Sequence, residues 1–231
     1  MDKVDKYIQD LKESNSTAKR FAAYKLGIMG DTRAFEPLIK ALKDRNPFVR
    51  CNVAEALGNL GELKALEYLQ EYLDDIDFTV KCSVIEAIGN ISKYHKEADR
   101  SIFNKIIPKL IESLSNDRYI IRHYAADALS KIGGEEVNKA LSHILDNGNP
   151  VTKEFAIWTI SKLKDDSYEE QLLFIFEQSD NINIKRAIIY TLDAMGVDIE
   201  NTLKLRGINL EKVKDELFDE ETFNDRLFFN L

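Results

Sequence analysis

The chain has 231 residues, 44% of them hydrophobic and 31% charged, with only four prolines; this excludes a disordered chain and provides ample apolar surface for a core. Its 32 basic and 40 acidic side chains leave a formal charge of −8, which argues against nucleic acid or an anionic membrane surface as partner. No apolar run approaches the ~20 residues of a membrane span, and Met1-Asp2-Lys3-Val4-Asp5-Lys6 lacks the apolar centre of a signal peptide, so a cytoplasmic protein is expected.

Val4, Tyr7, Ile8 and Leu11 recur at helical spacing and predict a first helix over residues 2–13. Beyond it one stretch keeps returning. In its clearest form it runs from Arg50 to Gly61, Arg-Cys-Asn-Val-Ala-Glu-Ala-Leu-Gly-Asn-Leu-Gly, and the basic residue that opens it recurs as Lys19, Arg50, Lys81, Arg122, Lys153 and Lys185. The steps are 31, 31, 41, 31 and 32 residues, the period of stacked helical hairpins. Asn15, Asn46, Asp77, Asn149 and Asn181 each stand four residues before a basic residue, where a short side-chain acceptor caps the free N–H groups of a helix. Pro47 and Pro150 follow two of them at the first helical position, and Arg118 breaks the series, so Asn116 or Asp117 is expected to cap there.

Within each of these inner helices small and apolar positions repeat: Ala22, Ala23 and Leu26, then Val53, Ala54 and Leu57, and so on to Ile188, Ile189 and Leu192. Gly27, Gly58 and Gly89 let neighbouring helices approach closely, while Gly30, Gly61, Gly133 and Gly196 end the helix or its turn. Outer helices follow at 34–42, 65–73, 106–114, 137–145 and, more divergently, 168–176. About ten extra residues between Ile91 and Ile106 lengthen one turn. After Gly196 the repeat fades, and Leu210, Val213, Leu217, Phe218, Phe223, Leu227 and Phe228 stand among many carboxylates. The reading is an all-α superhelix of about six hairpins over residues 1–196, closed by a helical C-terminal cap over 197–231, since terminal repeats need a polar outer side.

The Arg50–Gly61 stretch and Pro37-Leu38-Ile39-Lys40-Ala41-Leu42-Lys43-Asp44 resemble HEAT repeats, and more narrowly the short subclass named after phycobilisome lyases. The resemblance implies an α-solenoid whose inner helices line a concave surface. It leaves function open, because this subclass serves as scaffold, adaptor, bilin lyase subunit and hydroxylase. The iron-dependent hydroxylases of this type use His-Glu pairs, whereas the histidines here are followed by other residues, as His95-Lys96, His123-Tyr124 and His143-Ile144. No catalytic constellation is recognisable, and neither a catalytic residue nor a cofactor is expected.

Three sets of inner-helix residues invite a functional reading. Arg50, Lys81, Arg122, Lys153 and Lys185, with Asp44 and Asp75 six residues before the first two, form a regular charged ladder expected to tie neighbouring repeats together. Cys51 with Glu55 and Cys82 with Glu86 share helical faces at i, i+4 and offer ligand types that bind zinc or iron, although helices about 10 Å apart do not readily share one metal. The same spacing keeps the two cysteines from a disulfide. Phe21, Tyr24, Tyr124, Phe155, Trp158 and Tyr190, with Lys162 and Arg186, place aromatic and basic groups where a solvated face is expected, and Glu55, Glu86 and Asp127 make its centre acidic. A non-catalytic scaffold that takes a protein or peptide in its concave groove is therefore expected. The alternatives are a lyase-like subunit presenting a tetrapyrrole and a metal enzyme using the Cys/Glu pairs.

Overall fold

The computed structural model describes residues 2–13, 15–95, 100–209, 211–213 and 217, and it divides into two compact units, Met1–Ala140 and Leu141–Leu231. Every regular element among the described residues is helical. The first unit holds α1 (Lys3–Asp10), α2 (Ser16–Met29), α3 (Phe35–Ala41), α4 (Pro47–Leu60), α5 (Leu66–Leu69), α6 (Phe78–Tyr94), α7 (Phe103–Ser113) and α8 (Tyr119–Ile132). The boundary falls within α9 (Glu135–Asn147). The second unit continues with α10 (Pro150–Leu163), α11 (Glu169–Gln178), α12 (Ile182–Met195) and α13 (Ile199–Leu205).

Five of the six inner helices start where their cap residue says they should. The side chains of Asn15, Asn46, Asp77, Asn149 and Asn181 accept from backbone N–H groups of the first turn of α2, α4, α6, α10 and α12. In the first unit α2 packs on α4, α4 on α6 and α6 on α8; in the second α10 packs on α12. Leu26, Leu57, Ile88 and Leu129 occupy the same register and are fully buried. The close approach is set by paired small residues: a Cβ built on Gly27 would lie 2.8 Å from Ala56 Cα, and one on Gly58 2.8 Å from Ala87 Cα. In the second unit a hydroxyl joins the helices, with Thr191 donating to the Ile157 carbonyl at 3.4 Å.

Three expectations need correction. At the fourth hairpin neither Asn116 nor Asp117 caps the first turn of α8; the N-cap is Arg118, whose side chain makes no capping bond. Asn116 instead accepts from the Arg118 N–H at 3.0 Å, as Asp44 and Asp75 accept from Asn46 and Asp77 at 2.8 and 2.9 Å, so its side chain is committed to the loop. The second outer helix is a single α turn followed by a 3-10 stretch over Gln70–Asp74, a tightening common at helix ends. Part of the ten-residue insertion lengthens α6 to Tyr94, and His95 Nε2 donates to the Gly61 carbonyl at 2.6 Å, fastening the extra turn to the hairpin before it. Residues 96–99 of the insertion lie outside the described residues, as do Leu210, Phe218, Phe223, Leu227 and Phe228. Val213 and Leu217 of the final segment are buried. No helix among the described residues is long and apolar enough to cross a membrane.

Candidate functional site

The charged ladder sits at the start of the inner helices. Lys19 Nζ lies 2.7 Å from Asp44, and Arg50 grips Asp75 through two bonds of 2.8 Å while its third nitrogen donates to the Asp44 carbonyl at 2.9 Å. Asp44 therefore meets Lys19 through its carboxylate and Arg50 through its backbone, which links two successive hairpins. Arg122 repeats the backbone half of the pattern on the carbonyls of Asn116 and Asp117, and Lys153 reaches the Asp146 carbonyl at 3.4 Å. Lys81 forms no ion pair among the described residues, because the position that carries Asp44 and Asp75 carries Asn116 in the hairpin that follows it. Lys185 lies 5.3 Å above the Phe176 ring.

Burial raises the Asp44 carboxyl, but the bonds from Lys19 and the Asn46 N–H outweigh it and hold the pKa below the ordinary 3.8. A carboxylate depressed on folding contributes stability that is present above the unfolded value and lost as pH falls through the folded one. The stability difference between wild type and Asp44→Asn is thus expected to be steady near neutral pH and to shrink in acid below 3.8. Denaturant melts across that range check it, and a difference that grows in acid would contradict the assignment.

Above the ladder the first unit presents two rows. Two positions beyond the ladder residue stand Phe21, Asn52, Ser83 and Tyr124, and the middle two meet the preceding inner helix: Arg20 Nε donates to Asn52 at 3.2 Å, and the Ser83 hydroxyl reaches Glu55 at 3.4 Å. Five positions beyond stand Tyr24, Glu55, Glu86 and Asp127. Glu55 is exposed by area, yet neighbouring helices remove enough water to push its carboxyl above the ordinary value, against the Ser83 bond and with repulsion from Glu86. The Tyr124 phenol is also pushed up, first by burial and then by the negative charge of Glu86, Cys82, Glu55 and Asp127. The face is thus an aromatic ring set among three carboxylates on α4, α6 and α8.

Sequence reading missed the next row, nine positions beyond the ladder. There Lys131 donates to Asn90 at 3.0 Å and pairs with Asp127 at 2.7 Å, so one cation links α6 and α8. The signal was present as Asn59, Asn90 and Lys131 at constant register. It also missed Arg118, which lies 4.2 Å above the Phe78 ring in place of capping its helix.

In the second unit Lys162 Nζ lies 5.0 Å from the Trp158 ring, and Tyr190 is exposed. Phe155, two positions beyond its ladder residue, is buried and offers little surface to a partner. Arg186 Nε donates to the Leu217 carbonyl, so the chain's own C-terminal segment engages it.

Cys51 and Cys82 are free thiols, and Cys51 lies 3.5 Å from the Thr79 hydroxyl. Burial, with the charge of Cys51 and Glu86, pushes the Cys82 thiol up to about 11. Among the described residues no three His, Cys, Asp or Glu side chains converge to hold a metal, which counts against a shared site of Cys51, Glu55, Cys82 and Glu86; each pair sits on its own helix.

These helical hairpins in fixed register define an all-α repeat array of the solenoid class. Residues 4–89 match the family model of HEAT repeats. No curated protein matches it. Among solved structures it is similar to an engineered protein from a structural genomics consortium, at 19% identity over 85% of this chain and 97% of that one, with a TM-score of 0.60. It is also similar to a designed armadillo repeat protein in complex with the peptide (KR)4, at 19% identity, 84% and 100% coverage and a TM-score of 0.56. A third is the complex of CpcE and CpcF of phycocyanin lyase from Nostoc sp. PCC7120, at 21% identity, 94% and 95% coverage and a TM-score of 0.56. At such identities the likeness speaks for the fold.

Proposed function

We propose that the protein is a non-catalytic scaffold that binds a polypeptide on the exposed faces of its inner helices. The observation that carries the reading is the row of Glu55, Glu86 and Asp127 around Tyr124, carboxylates displayed in step by successive hairpins, with Asp127 already paired to Lys131 and Glu55 and Glu86 left to a partner. Burial, with the charge of Glu86, raises the Glu55 carboxyl above its ordinary value, so its charged form is disfavoured and a cationic partner offsets that. Successive inner helices stand roughly 10 Å apart, about three residues of extended chain, so a peptide crossing them meets one carboxylate every third residue or so. The similar designed repeat protein binds the basic peptide (KR)4, and CpcE is found in complex with CpcF, which supports a protein or peptide partner for this fold. In the second unit Trp158 with Lys162 and the exposed Tyr190 supply an aromatic anchor of the kind that dominates protein interfaces. The C-terminal segment, held at Arg186 and buried at Val213 and Leu217, serves here as the cap of the array.

The test is binding of a fluorescent peptide with lysines at every third position. Glu86→Lys is expected to weaken it at least tenfold, about 1.4 kcal/mol, with the helical circular-dichroism signal unchanged. Trp158→Ala is expected to weaken capture of a protein partner in the same way. Unchanged binding by Glu86→Lys would remove the acidic row from the site, and unchanged capture by Trp158→Ala would remove the anchor.

A further inference from the structure

In the second to fourth hairpins the positions two, six and nine beyond the ladder residue are closed by the preceding inner helix. Arg20 bonds Asn52, the α2 backbone at Gly27 comes against Ala56, and Asn59 stands 3.5 Å from the point where a Gly27 Cβ would be. Gly58 meets Ala87 and Gly89 meets Ala128 and Lys131 in the same way. On α2 the corresponding residues are Phe21, Lys25 and Ile28. Phe21 and Ile28 are 52% and 59% exposed, and Tyr24 between them is 51% exposed. Phe21 meets Tyr7 of α1 in an edge-on contact at 6.0 Å. No inner helix precedes α2 among the described residues, and this face of α2 is aromatic and aliphatic.

Lys25 restricts what can cover it. At this position the stacked helices carry alanine, whose Cα stands so close to a glycine of the preceding helix that a Cβ built on that glycine would lie 2.8 to 3.1 Å away, so in a further repeat of the same kind a lysine there meets a closely packed backbone. The Lys25 ammonium lies 5.1 and 5.5 Å from the Phe21 and Tyr24 rings, and no carboxylate pairs with it among the described residues. Helix α2 carries no acidic residue, and with Lys19 held by Asp44 and Arg20 by Asn52, Lys25 is the cation of this face. The complementary ligand is a segment of apolar side chains interspersed with carboxylates. The chain contains one: residues 218–231 read Phe-Asp-Glu-Glu-Thr-Phe-Asn-Asp-Arg-Leu-Phe-Phe-Asn-Leu, with four phenylalanines and four carboxylates against one arginine.

We infer that the α2 face of Phe21, Tyr24, Lys25 and Ile28 docks residues 218–231 of a second copy of this chain. The face extends about 10 Å along α2, and fourteen residues reach up to ~45 Å when extended, so the segment can cover it. Carboxylates meet Lys25 while phenylalanines cover Phe21 and Ile28. The contact is heterologous: each copy has one face and one segment, and association runs head to tail.

Sedimentation velocity of the full-length chain over a range of concentrations tests this. Wild type is expected to associate beyond the dimer as concentration rises, and Ile28→Asp and Phe228→Asp, each at a position free of core packing or outside the repeats, are each expected to be monomeric. Mixed in equal amounts, the two variants leave one intact face and one intact segment, so the mixture forms a dimer and stops there. Lys25→Glu is expected to weaken association at least tenfold, with recovery when combined with Glu221→Lys. Wild type that stays monomeric throughout, association untouched by either aspartate variant, or a mixture that remains monomeric would each overturn the proposal, and circular dichroism confirms that every variant is folded.

Discussion

Asp75→Ala is expected to lower stability by about 3 kcal/mol, toward the lower end of what breaking a buried ion pair costs. The Arg50 and Asp75 side chains are only 11% and 6% exposed, and their two parallel bonds of 2.8 Å are the fork geometry that matches guanidinium to carboxylate. Without Asp75 the Arg50 charge loses its bonded carboxylate, keeping only the weaker attraction of Asp77 and Asp44, and the Asp77 N–H loses its acceptor. The bonds from Arg50 to the Asp44 and Arg45 carbonyls remain and keep the loss from being greater. For a chain of this length each kcal/mol moves the melting temperature by roughly 2–4 °C, so a fall of roughly 6–12 °C is expected in a circular-dichroism melt. Adding Arg50→Met should restore part of it, because the stranded charge is then gone. A fall of one or two degrees would place this pair with ordinary surface salt bridges.

Gly58→Ala is expected to cost about 2 kcal/mol although it adds one methyl group and improves helix propensity. The methyl would lie 2.8 Å from Ala87 Cα and 3.0 Å from Ala87 Cβ, and these atoms belong to the backbone or are fixed to it, so no rotamer change makes room. The two helices must separate, which loosens the contact between hairpins on which a repeat array depends. Gly27 faces Ala56 at the same 2.8 Å, while the nearest backbone atom to Gly89 is at 3.1 Å. The expected order of destabilisation is therefore Gly27→Ala and Gly58→Ala together, then Gly89→Ala. Equal melting temperatures for Gly58→Ala and wild type would show that the helices are spaced by other contacts.

The two effects differ in how far the sequence announced them. Gly58 was recognisable as a place of close approach, because glycine recurring inside a helix at a fixed register costs stability unless a neighbour needs the space. Asp75 was recognisable as part of a ladder, but its partner was not: Lys19 and Arg50 each bond the acid 25 residues ahead, a pairing that exists only once the hairpins stack.

What the sequence by itself determined is what depends on periodicity and local chemistry. A period near 31 residues, caps four residues before all but one of the basic residues and glycines after four of the inner helices gave the order of the helices and the starts of five inner ones, since these features act within one or two turns of the chain. The tertiary structure alone decided which face each side chain serves. Phe21 and Tyr124 share one row and Tyr24 and Glu86 another, yet Tyr124 is drawn among carboxylates, Phe21 stands open at the face of α2 and Phe155 is buried. Likewise Arg186, readable as a group awaiting a partner, is engaged by the Leu217 carbonyl. The reason is geometric: positions two and five beyond the ladder residue lie about 60° apart on a helix of 3.6 residues per turn, and only the placement of the neighbouring helix decides which is seam and which is surface.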